Sequence, residues 1–163
     1  MLCSQCSVDH PLEALELAYR RPDAAAQLTP AEREHSVQGS NDWCVIDGQR
    51  FFLRGVLPLA LLEANDEYCI GAWVEVDPEA FERVCELWDE DGRDQAPFAA
   101  RLANRIHGQA DTLGLEARLQ LSAPGQRPRI YLPADSHPLA VEQRDGITLH
   151  RAHEYSAQIS QPA

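Results

Sequence analysis

Apolar residues recur along this chain at two periods, and each predicts a different element. Phe81, Val84, Cys85 and Trp88 fall at i, i+3, i+4 and i+7 behind Asp77-Pro78, the stripe of an amphipathic helix that the acidic run over 89–94 ends. Phe98, Leu102 and Ile106 keep helical spacing and predict a second helix closing near Gly108. Leu115, Ala117, Leu119 and Leu121 instead alternate with Glu116, Arg118 and Gln120, the pattern of a half-buried strand. Pro124-Gly125 turns that strand into 130–132 as an antiparallel hairpin. Upstream, 43–46 and 50–57 flank Asp47-Gly48, a strong hairpin signal. A further strand over 68–76 puts Ile70, Ala72, Val74 and Val76 on one face, with Gly71 and Trp73 on the other.

Short helices are expected around this framework. Asp9-His10-Pro11 opens one with Leu12, Leu15 and Tyr19 on a face, stopped at Arg21-Pro22. Thr29-Pro30-Ala31-Glu32 has the form of a capping box and predicts a helix ending before Gly39. Another follows Ser136 and stops at Asp145-Gly146, and a last helical stretch covers 147–159. Strands come in hairpins with helices between them. The expected fold class is α+β, a single domain whose antiparallel sheet is built from hairpins with helices packed on one face. Residues 1–40 form an N-terminal segment of short helices, and 41–160 the core.

Composition narrows the functional classes. With 163 residues, 44% of them hydrophobic and 25% charged, the chain is long and apolar enough for one globular core. Its 26 acidic and 14 basic residues give a net charge of −12, which argues against nucleic acid or an anionic membrane as partner. Every basic residue is arginine, so Schiff-base and P-loop lysine chemistry are excluded, and each cation is a planar fork suited to carboxylates. The start of the chain lacks a basic region and an apolar stretch of signal type, and the longest apolar run, over 56–62, is far short of the ~20 residues of a membrane span. A cytoplasmic protein with reduced thiols is expected, five cysteines being an odd and scattered set.

Candidate chemistry is sparse. Cys3-x2-Cys6 followed by His10 has the spacing of half a tetrahedral zinc site, the other ligands coming from His10, Cys44 or a distant histidine. Free thiols and a redox pair are the alternatives. His150, His153 and Glu154 share a helix face but lack the zincin pattern and read as a polar surface. His137, before Pro138, reads as a helix cap. Cys69 and Cys85 read as core residues. Arg54 sits inside an apolar strand and must find a partner, through a structural ion pair or as a clamp for an anion. Arg127 and Arg129 read as solvated. Nucleophile elbow, phosphate loop and dinucleotide fingerprint are all lacking.

These residues together resemble a known family. Cys3-Ser-Gln-Cys6 with His10, Asp42-Trp-Cys44-Val-Ile46 leading to Phe51-Phe52-Leu53-Arg54-Gly55, Gly71-Ala-Trp73-Val74, Arg127-Pro128, and Asp135-Ser-His137-Pro138 running into Asp145-Gly146-Ile147-Thr148 are similar to the bacterial family catalogued as domain of unknown function 2199. The resemblance implies a single-domain bacterial protein of the cytosol. It singles out Cys44, so that Cys3, Cys6, His10 and Cys44 form the expected zinc ligand set. It adds Arg54, His137 and Gln143 as a second cluster for binding.

Three functions are then in competition. The first is a non-enzymatic binding protein with a structural zinc. The second is an acidic immunity-type protein that neutralises a basic protein partner, the charge steering the encounter. The third is a hydrolase or transferase built on Arg54 and His137.

Overall fold

The structure, a computed structural model, describes residues 16–133 and 137–158. In chain order its elements are α1 (Asp23–Ala26), α2 (Pro30–Ser36), β1 (Val37–Gly39), β2 (Trp43–Ile46), β3 (Arg50–Ala60), β4 (Glu67–Val76), α3 (Pro78–Glu86), β5 (Phe98–Leu102), β6 (Glu116–Gln120), β7 (Arg129–Tyr131), α4 (Pro138–Asp145) and α5 (Leu149–Ala157).

Strands β3 to β7 form a closed barrel. Each pairs antiparallel with the next, and β7 returns to pair in parallel with β3 at Val56 and Arg129. Parallel closure follows from the strand number: in a five-strand meander the first and last strands run the same way. Gly55 permits the closure, because a Cβ there would lie 2.8 Å from the carbonyl oxygen of Pro128, which accepts the hydrogen bond from the Val56 N–H. β2 pairs with the first residues of β3 before β7 takes over the same edge, and β1 extends the sheet beyond β2.

The expected sheet of antiparallel hairpins with helices on one face is thereby corrected. The sheet closes on itself, so it has an interior; α3 and α5 pack at its opposite ends, and α1 lies against the outer wall. Phe81 of α3 meets Phe51 at the start of β3, ring centroids 5.0 Å apart. At the far end Leu61 bridges to Ile147 and Tyr155 of α5 stacks on Tyr68. Ten residues of extended chain, about 33 Å, separate Phe51 from Leu61. The helix expected over 98–106 is also corrected, to strand β5. Phe98 and Leu102 fit either period, and Ala100, buried between them, marks the strand period only weakly because alanine carries so little apolar bulk.

Other local expectations hold. Thr29 and Glu32 exchange both hydrogen bonds of the capping box. Asp47 and Gly48 take positive φ values of 53° and 65° in the β2–β3 turn, the backbone a tight hairpin requires. Asp77 caps α3 through the Ala80 N–H. One local expectation is corrected: the helix expected to run through Tyr19 to Arg21-Pro22 is not helical over 16–19, where Tyr19 N–H and Gly71 N–H bond to Gly71 O and Leu17 O and add this segment to β4.

Two apolar cores result. Leu53, Leu57, Ile70, Val74, Leu102, Leu119 and Ile130 fill the barrel. Ala25, Cys44, Ile46, Phe52, Trp73 and Ala103 form a smaller core outside it, beneath the segment leading into α1. Trp73 thus points away from Val74, as the strand alternation predicts. The outer core carries the polar feature described next.

Candidate functional site

Along β3 the even positions face outward, so Phe52, Arg54 and Val56 share the outer wall of the barrel. Phe52 is absorbed by the outer core, and Arg54 stands at that core's margin. Its Cζ lies 5.9 Å from the centroid of the Trp73 ring. Its Nη1 donates to the Asn41 carbonyl at 3.3 Å, while its Nε is buried with no hydrogen-bond partner among the described residues. Burial and the neighbouring Arg127 both lower the Arg54 pKa, with Asp42 opposing them.

A cleft of about 770 Å³ opens beside Arg54. Arg20, Arg21, Arg33, Arg54 and Arg127 all line it, with Trp43, Cys44 and Trp73, and among the described residues no aspartate or glutamate lines it. In a chain with 26 acidic side chains and 14 basic ones, five guanidiniums around one opening that no described carboxylate lines is a marked segregation of charge. Asp42, the carboxylate next to the cleft, is held by Arg127 at 3.1 Å. Arg33 donates to the carbonyls of Ala25 and Leu28, which orients the guanidinium without neutralising it. Arg20 and Arg21 have no ion pair among the described residues.

The local fold explains the convergence. Arg20 and Arg21 follow the segment zipped onto β4, and buried Asn104 fixes their backbone. Its side-chain oxygen accepts from Trp73 N–H at 2.8 Å, and its amide donates to Arg21 O at 2.9 Å and to Asp23 at 3.0 Å. Arg33 comes from α2, and Arg127 from the β6–β7 turn. Cys44 forms part of the cleft wall at 5% exposure. Burial pushes its thiol pKa up, and Arg21 pulls the other way.

The remaining sequence candidates are dispersed. Cys3, Cys6 and His10 lie outside the described residues. Among those residues, no group of three or more His, Cys, Asp or Glu side chains is placed to hold a metal ion. Gln143 does not reach Arg54: its amide donates to Ile130 O and Pro58 O, and its oxygen accepts from Leu132 N–H, so it ties α4 to β7 and β3. His137 caps α4, Nδ1 accepting from Leu139 N–H at 3.0 Å, and its Nε2 is buried without a partner. Neither residue lines the cleft. Cys85 is exposed and Cys69 half-buried, so neither is the core residue expected. Arg127 and Arg129 are paired with Asp42 and Glu67, not simply solvated.

Arg20, Arg21 and Arg33 escaped the sequence reading, which used Arg21-Pro22 only as a helix stop. Arg20 and Arg21 carry one local signal, the tandem of cations before Pro22, which does not point to Arg54, and Arg33 carries none.

A family described as "Uncharacterized protein conserved in bacteria" (DUF2199) matches residues 2–147. The chain belongs to this family. The DUF2199 match takes in the expected zinc ligands, the strand bearing Arg54, and both His137 and Gln143. No curated protein and no solved structure matches the chain. Among the described residues no helix is long and apolar enough to cross a membrane.

Proposed function

We propose that this DUF2199 protein is a non-enzymatic binding protein whose cleft takes a small anionic molecule. One observation carries the reading: among the described residues, Arg54 is set with four other arginines in a cleft that no carboxylate lines, and its buried Nε has no partner. A buried donor left unpaired is costly, by about 1–3 kcal/mol, and an oxyanion entering the cleft would satisfy it. Guanidinium forks match carboxylate and phosphate oxygens in pairs, and the cleft's volume is in the range of small-molecule sites. His137, which a hydrolase or transferase would need beside Arg54, is committed to the α4 cap and lies outside the cleft lining.

Two of the three tryptophans, Trp43 and Trp73, line the cleft, so titration with inorganic phosphate at low ionic strength should change the intrinsic fluorescence saturably. The affinity should weaken as salt is added, because screening acts on partly exposed charges. A fluorescence that never saturates, or a midpoint indifferent to salt, overturns the reading.

The structural zinc rests on Cys3-x2-Cys6 and His10, with Cys44 as the fourth ligand. Metal analysis of protein purified without chelator should find one zinc per chain, lost in a Cys3→Ser, Cys6→Ser variant. Protein that carries no zinc in either form removes that half of the proposal.

A further inference from the structure

We infer that the anion taken by the arginine cleft carries an uncharged apolar arm, so that the ligand class is an amphipathic small anion and not a bare oxyanion. The inference rests on the anion-binding reading above and deepens it. Arg54 and Val56 are successive outward positions of β3, about 7 Å apart along the strand. Arg54 lines the arginine cleft, and Val56 lines a second cavity of about 710 Å³. Arg127 lines both, and its ion pair with Asp42 marks the boundary between them. The two openings are therefore adjacent on one outer wall of the barrel.

Their chemistry differs. The second cavity is walled by Val56, Leu87, Trp88, Leu121 and Pro128, and its acidic lining residues are Asp42 and Glu90. Arg127 and Arg129 also line it, but each is held by a carboxylate, Arg127 by Asp42 and Arg129 by Glu67. Among the described residues it therefore offers a second anionic group no unpaired cation, whereas the apolar wall favours a ring or a hydrocarbon chain. Trp88 follows α3 and leaves 38% of its surface exposed at this cavity, among the few large hydrophobic residues so exposed. A flat arm laid against it would cover apolar surface already beside the anion site, without any rearrangement of the barrel. Charge thus sorts the ligand end to end, with the anionic head at Arg54 and the neutral arm at Trp88.

The test compares two probes that share a head: inorganic phosphate and 1-naphthyl phosphate, titrated calorimetrically into the full chain. Naphthyl phosphate should bind about tenfold more tightly, the ratio that one aromatic contact with its area burial supplies. Trp88→Ala should abolish the advantage and leave phosphate affinity within about twofold, while Arg54→Met should weaken both probes. Trp88 is exposed enough for the variant to fold, and a matching thermal midpoint would show that it has. Equal binding of the two probes, or an advantage that survives Trp88→Ala, overturns the amphipathic inference while Arg54-dependent phosphate binding still supports the cleft. Failure of both probes to bind, or binding indifferent to Arg54→Met, overturns the cleft reading and this inference together.

Discussion

Arg54→Met is expected to weaken phosphate binding by about 10- to 100-fold while leaving the thermal midpoint unchanged or raised. Charge-assisted hydrogen bonds contribute about 1.5–3 kcal/mol each, and each 1.4 kcal/mol is tenfold in affinity. The stability side has the opposite sign. Among the described residues the Arg54 guanidinium makes a single long hydrogen bond, to Asn41, its Nε is buried unpaired, and its cation–aromatic contact with Trp73 is at 5.9 Å. Methionine keeps most of the stem that packs at the margin of the outer core and lacks the group that needs a partner. Losing the Trp73 contact costs about 0.5–1 kcal/mol, which relief of the unpaired donor offsets. Arg54→Lys should lie between, retaining charge without the fork. Calorimetric titration and thermal unfolding of the three proteins check this. A midpoint several degrees lower with unchanged binding would make Arg54 a structural cation and remove the basis for the cleft.

That opposition between affinity and stability separates the two readings of Arg54 that its sequence position leaves open, the structural ion pair and the anion clamp. Among the described residues no carboxylate pairs with it; the neighbouring Asp42 is held by Arg127. A charge inside an apolar strand was legible because strand alternation and the demand for a partner are both local. The hairpin at Asp47-Gly48, the cap at Thr29 and the sorting of Trp73 from Val74 were legible for the same reason. Barrel closure was not. It depends on Val56 meeting Arg129 across more than seventy positions, and on β5, whose small alanines hide its period. The cleft needs the same closure, since it draws arginines from the N-terminal segment, α2, β3 and the β6–β7 turn. Apart from Arg54, each of those residues is unremarkable in its own stretch of sequence, and only the folded barrel brings them together.

Asn104→Ala is expected to lower stability by about 3 kcal/mol. Asn104 is fully buried, and its three hydrogen bonds join β4 at Trp73 to the backbone of Arg21 and to Asp23. Alanine leaves the Trp73 N–H buried without an acceptor, about 1–3 kcal/mol, and removes two donors of about 0.5–1.5 kcal/mol each. Urea unfolding at neutral pH measures the loss. Arg21 loses its anchor in the same variant, so phosphate affinity should fall even where the protein remains folded. Asn104→Asp distinguishes the hydrogen bonds from simple volume. Aspartate can still accept from Trp73 N–H, but it cannot donate to Arg21 O, and it sets a buried carboxylate against Asp23. Burial and that like charge raise its folded-state pKa above the unfolded value. The destabilisation is therefore present at neutral pH and shrinks as pH falls through the raised pKa, where the protonated acid becomes a donor again. A loss for Asn104→Asp that is the same at pH 5 and pH 8, or a loss for Asn104→Ala under 1 kcal/mol, would show that this buried amide does not hold the cleft together.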